Sequence, residues 1–218
     1  MEVFEVQKNP PKSIFSIEML AVVAAIVLLS LIGSASSFGL VVINEVLYDP
    51  PGTDAGCFVE LMGTPGLNLD DHFLVGINGS GGKQYNLIDL SGHAIPRDGY
   101  FVVAQDESVP EADLIDGQAD FQNGPDSIEL WHGENRIDSV GYGNFSGAVF
   151  AGEGDPTLDL SDYSIGRRPD GEDTNNNSMD FVGLALTSPG APNGPGAAVM
   201  IGRKLIFTWG RIKRETEK

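Results

Sequence analysis

A chain of 218 residues with 28 Gly, 13 Pro and a formal charge of −18 has room for one sizeable hydrophobic core and no need of a second. The charge is uneven: residues 41–196 carry 26 acids against 5 bases, net −21, whereas residues 197–218 carry six bases against two acids. A body so acidic repels phosphate backbones, whose binding rests on Lys and Arg displacing counterions, so direct nucleic-acid binding is not expected.

The first element is Met19 to Ile32, an uncharged apolar run behind Lys8 and Lys12 and ahead of the small, polar Gly33-Ser34-Ala35-Ser36-Ser37. That order matches a secretory signal with Gly33-x-Ala35 as the cleavage site. The same run, free of charge up to Ile43, also suits an uncleaved hydrophobic N-terminal helix used as a membrane anchor. Residues 1–37 are therefore read as a signal peptide or an N-terminal anchor. With the bases on the N-terminal side, either outcome places the remainder of the chain outside the cytoplasm.

From Leu40 the chain reads as short strands broken by turn chemistry. Leu40–Leu47 is β-branched-rich and stops at Tyr48-Asp49-Pro50-Pro51-Gly52. Phe58–Met62 comes next, then Phe73–Ile77 and Lys83–Leu90 across Asn78-Gly79-Ser80-Gly81-Gly82, which predicts a hairpin. Tyr100–Ala104 comes after the Asp98-Gly99 turn. Ser127–Trp131 and Arg136–Tyr142 then flank Gly133-Glu134-Asn135. The spacing predicts an all-β sandwich over residues 40–196, with Ile43, Val59, Leu61, Val75, Phe101, Val103, Ile128, Leu130 and Val140 facing inward. After Phe150 a polar, Gly- and Asp-rich run is expected to wrap the surface. Cys57, inside Cys57-Phe58-Val59, is expected to be a small buried hydrophobe. The basic tail, residues 197–218, is too interrupted by Arg203-Lys204 to span a bilayer. It suits an anionic lipid surface, a fold-back onto the acidic body, or a disordered tail.

Several segments, taken in order, resemble a family. Val42-Ile43-Asn44-Glu45-Val46, Phe58-Val59-Glu60-Leu61, Val75-Gly76-Ile77-Asn78-Gly79, Asp98-Gly99-Tyr100-Phe101-Val102-Val103 and Gln122-Asn123-Gly124-Pro125-Asp126-Ser127 are similar to the secreted microbial lamin-tail domain. The closing Gly166-Arg167-Arg168-Pro169-Asp170-Gly171, Asp180-Phe181 and Ser188-Pro189-Gly190-Ala191-Pro192-Asn193 fit that family's end signature. The resemblance covers about Val41 to Asn193 and implies an immunoglobulin-like β-sandwich without implying one activity. Where the family often continues Glu-Leu with an aromatic residue and Asn, this chain has Leu61-Met62-Gly63-Thr64.

No catalytic set stands out: His72, His93 and His132 lie apart in sequence, and no nucleophile elbow or zinc spacing is present. Glu45 and Glu60 sit inside apolar strand runs, where an inward carboxylate needs a partner such as Arg97 or a loop amide. Asp173, Asn175 and Asn177 alternate like the start of a calcium loop, although Ser178 stands where that loop needs Gly and Leu184 where it needs Glu. They are the candidate metal ligands; otherwise no cofactor is expected. The expected function is a non-enzymatic, exported or membrane-anchored binding or structural module that meets an extracellular protein or glycan. A hydrolase with an unrecognised acidic site and a nucleic-acid-binding lamin-like domain are the alternatives.

Overall fold

The computed structural model describes residues 41–52, 55–194, 199–201 and 204–206. The chain divides into two compact units, Met1–Phe38 and Gly39–Lys218, and the described residues all lie in the second. The expected leader helix over Met19 to Ile32 falls outside them. Among the described residues no helix is long and apolar enough to cross a membrane.

Two sheets face each other. The larger has the order β10-β9-β1-β2-β5-β6, built from β1 (Val41–Leu47), β2 (Phe58–Gly63), β5 (Tyr100–Ala104), β6 (Leu114–Ile115), β9 (Ser164–Arg167) and β10 (Phe181–Leu184). Its pairs are antiparallel except β5 with β6. The smaller has the order β4-β3-β7-β8, from β3 (His72–Asn78), β4 (Lys83–Asp89), β7 (Asp126–His132) and β8 (Asn135–Tyr142). Among the described residues, helix is confined to a short 3₁₀ turn, Gly117–Ala119, and one α-helical turn, α1 (Asn177–Asp180). A separate hairpin pairs β11 (Val199–Ile201) with β12 (Lys204–Ile206).

One apolar core lies between the sheets, with Ile43, Val46, Val59, Leu61 and Phe101 from one side and Leu74, Ile88, Ile128, Leu130 and Val140 from the other. The hairpin expected at Asn78–Gly82 forms between β3 and β4. Close approach requires glycine at Gly79, where a Cβ would lie 2.1 Å from the Pro125 carbonyl oxygen. Cys57 is buried, its thiol 3.6 Å from the Tyr48 carbonyl oxygen.

Two expectations need correction. Val75 does not join the central core: Leu74 points inward and Val75 lies on the outer face, because alternate residues of a strand face opposite ways. The run Phe73-Leu74-Val75 is apolar on both faces and so hides its own phase. The stretch after Phe150 does not merely wrap the surface, since β9 pairs directly with β1 and carries β10 beside it. The strand signal there is weak because Ser164-Ile165-Gly166-Arg167 contains only one apolar side chain, and Arg167 is buried by virtue of its partners.

Loops cover much of the outer faces. Leu47, Phe58, Val102 and Ala104, on the back of the larger sheet, form a second small core with Val109 and Ala112. On the smaller sheet, Phe150 lies over Gly141, Val149 packs against Gly82, and Phe145 meets Phe150 edge-on at 4.9 Å.

Candidate functional site

Three places concentrate chemistry, and the first is the buried guanidinium of Arg167. It arrives on β9, opposite β8, and its Nη2 donates to Asp138 Oδ1 at 2.8 Å with neither side chain exposed. Nη1 reaches Asp180 Oδ2 at 3.1 Å and Asp173 Oδ1 at 3.3 Å, while Nε donates to the Ile43 carbonyl at 2.8 Å. Ile43 N–H in turn donates to Asp138 Oδ2 at 2.6 Å. The guanidinium also lies over the Phe181 ring, 4.7 Å from its centroid. Every nitrogen of the fork is thus engaged, as a buried guanidinium requires.

Around this pair the carboxylate oxygens of Asp138, Glu153 and Asp173 lie within 4.8 Å of one another. Burial pushes Glu153 up to about 7, with Asp138 and Asp173 adding repulsion and Arg167 opposing it. Burial also raises Asp138, against the pull of Arg167. Arg167 supplies the positive charge at the centre of this acid group.

The candidate metal ligands are placed differently from one another. Asp173 turns to Arg167 and also accepts from Asn175 N–H at 3.0 Å, Asn175 itself being held at a φ of 57°. Asn177 is fully buried: its Oδ1 accepts from Gly141 N–H and Glu153 N–H, both at 2.9 Å, and its Nδ2 donates to Ser139 O at 2.8 Å. Both lone pairs of that oxygen are engaged, so Asn177 ties β8 to the loop that contains Glu153. Asp180, from the closing Asp180-Phe181 motif and not one of the candidate ligands, organises the turn by accepting from Thr174 N–H and Thr174 Oγ1.

The second place is the back of the larger sheet, where Glu45 on β1 stands directly opposite Glu60 on β2. Both are fully buried. The loop amides of Ser188 and Gly190 reach them, as expected, joined by Ser164 of β9 and Asn44 of β1, and Arg97 does not take part in these bonds. Glu45 accepts from Ser164 Oγ and from Ser188 N–H and Oγ; Glu60 accepts from Asn44 Nδ2 at 2.8 Å and Gly190 N–H at 2.7 Å. Burial raises Glu45 and pushes Glu60 up to about 8, their hydrogen bonds opposing the shift. The β1–β2 register shifts at Asn44, between Ile43 and Glu45.

The third is an open apolar patch on the smaller sheet, a groove of about 240 Å³ lined by Phe73, Val75, Ile77, Leu87, Trp131, Gln84 and Glu129. Phe73 and Trp131 are cross-strand partners, and Leu87 is 45 % exposed. Glu129 fixes the indole by accepting from Trp131 Nε1 at 2.9 Å and also pairs with Arg136 at 3.1 Å. Beyond Trp131, His132 stacks on His72 at 4.3 Å, so two of the histidines separated in sequence meet across β3 and β7.

A wider hollow of about 520 Å³ is lined by Tyr85, Asn86, Asp120, Phe121, Gln122 and Asn123, a polar wall with one carboxylate.

No protein-family model, curated protein or solved structure matches this chain.

Proposed function

We propose that this chain is a non-enzymatic binding module of the lamin-tail-like, immunoglobulin-like class, exported or anchored by its N-terminal segment and displayed outside the cytoplasm. Its contact surface for an extracellular protein or glycan is the Phe73–Trp131–Leu87 patch. The observation that carries this reading is the contrast between faces. Loops pack on the back of the larger sheet at Val109 and Ala112 and on the smaller one at Val149 and Phe150, yet an aromatic and aliphatic patch stays open with its indole already oriented. Rigid aromatic side chains held in a shallow groove are what binding hot spots use. Three carboxylates that burial raises are engaged inside the fold, Glu45 and Glu60 by Ser188 and Gly190 together with Ser164 and Asn44, and Asp138 by Arg167. That arrangement favours a binding module over the hydrolase alternative. The five bases of the body, one of them Arg167, disfavour the nucleic-acid alternative.

The test has two arms. Protease added to intact cells should digest residues 41–196, or the domain should be found in the medium; full protection until lysis would refute export. Labelled protein should bind intact cells or isolated envelopes, and Trp131→Ala with Leu87→Ser should weaken that binding about tenfold or more with an unchanged circular dichroism spectrum. Unaltered binding by the double variant would remove the patch from the reading.

A further inference from the structure

The segment Ser188-Pro189-Gly190-Ala191-Pro192-Asn193 is strapped across the back of β1 and β2, and the two strands hold it through carboxylates. Ser188 donates from its N–H and its hydroxyl to Glu45, and Gly190 N–H donates to Glu60 Oε2. At the far end Asn193 N–H donates to Asp170 Oδ1 at 3.0 Å. The Asn193 side-chain amide donates to the carbonyls of Asn44 and Arg167, bridging β1 and β9 where the register of β1 breaks. No residue of the strap carries a charge.

Two carboxylates directly opposite each other on one face of an antiparallel pair repel when both are ionised, and more strongly when buried. Nearby groups deepen that repulsion. Asp170 faces both glutamates from the loop after β9, Tyr100 on β5 donates its hydroxyl to Asp170, and Asp98 lies behind Tyr100. Glu111 approaches Gly190 from the other side. The cation touching the end of the strap is Arg168, which donates to the Gly194 carbonyl, while the Arg167 guanidinium is directed to Asp138, Asp173 and Asp180.

We infer that the Ser188–Asn193 strap is a proton-controlled latch. It is closed over β1 and β2 while the Glu45–Glu60 pair holds a proton, and it opens when both carboxylates ionise, freeing residues 188–193 from the sheet. Glu45 has three donor groups and is built to accept as an anion, whereas Glu60 has two donors and is the member that keeps the proton. The elevation of Glu60 to about 8 agrees with that assignment. Because its proton is held more tightly with the latch closed, the closed state is fully favoured below the ordinary glutamate range. That advantage is lost as pH rises through about 8.

Hydrogen–deuterium exchange of the full chain in detergent, read by mass spectrometry and corrected for the intrinsic effect of pH, tests the latch. Protection of residues 186–194 should be constant below about pH 4.5, fall about tenfold per pH unit from there to about pH 8 and level off above, with β3 and β7 unchanged. Glu60→Gln, which cannot ionise, should keep the strap protected throughout. Glu45→Gln, a second variant should the first not fold, should lose less protection and reach its plateau at lower pH, because without the Glu45 charge the closed strap tolerates an ionised Glu60. Constant protection of the wild-type strap to pH 10 would overturn the latch. So would the same loss in whichever of these variants folds.

Discussion

Arg167 and Asp138 join the two sheets through an ion pair 2.8 Å long in which neither side chain reaches solvent. Between them they also satisfy both backbone groups of Ile43. Removing one member strands a buried charge. Asp138→Asn and Arg167→Met should each lower stability by roughly 3–5 kcal/mol. A urea melt should show the loss as a shifted midpoint at unchanged slope. The double variant Asp138→Leu with Arg167→Met should regain part of the loss but not all, since Ile43 N–H and C=O would then lack partners.

Stability should depend on pH in a definite sense. Burial raises Glu60 to about 8 and Glu153 to about 7, and it raises Glu45 as well, so between about pH 4.5 and 8 the folded chain holds protons that the unfolded chain has lost. Stability should therefore fall as pH climbs through that window. Below about pH 4 it should fall again, because turn hydrogen bonds depress Asp70, Asp89 and Asp106. Thermal melts from pH 3 to 9 should peak near pH 5, and Glu60→Gln with Glu153→Gln should flatten the alkaline limb. A maximum above pH 8 would contradict the assignment.

The phase of β3 is testable by two neighbouring truncations. Leu74→Ala opens a hole in the central core and should cost about 2–5 kcal/mol, whereas Val75→Ala, on the groove side, should cost about 1 kcal/mol or less. Equal losses would mean that both residues are enclosed.

Cations should act on this body chiefly by screening. With −21 on residues 41–196, sodium chloride should raise the melting temperature between about 0.01 and 0.3 M. Calcium and magnesium at matched ionic strength should act alike, because Asn177 is engaged with backbone and Arg167 neutralises the acids near Asp173. A larger effect of calcium, abolished by Asp173→Ala, would instead assign a calcium site to the loop.

Much of the strand pattern is legible in the sequence because it is local. β-Branched runs and Gly–Asn turns locate β1 to β5, β7 and β8 to within a residue or two. The demand that Glu45 and Glu60 find loop partners comes from elementary desolvation, and Ser188 and Gly190 meet it. The identity of those partners is not legible, for Ser188 lies 143 residues from Glu45 along the chain.

What the chain decides locally is therefore where strands begin and end, that a single cysteine stays buried, and that the body is strongly acidic. What only the tertiary structure decides is which face each strand turns inward and which distant groups meet. Val75 faces out because Leu74 faces in, a choice of phase that an apolar run leaves open. Arg167 lies in the interior because β8, the loop before α1 and α1 itself bring Asp138, Asp173 and Asp180 to it. A charge can be buried only where its counter-charges converge, and convergence across the fold leaves no periodic trace in the sequence.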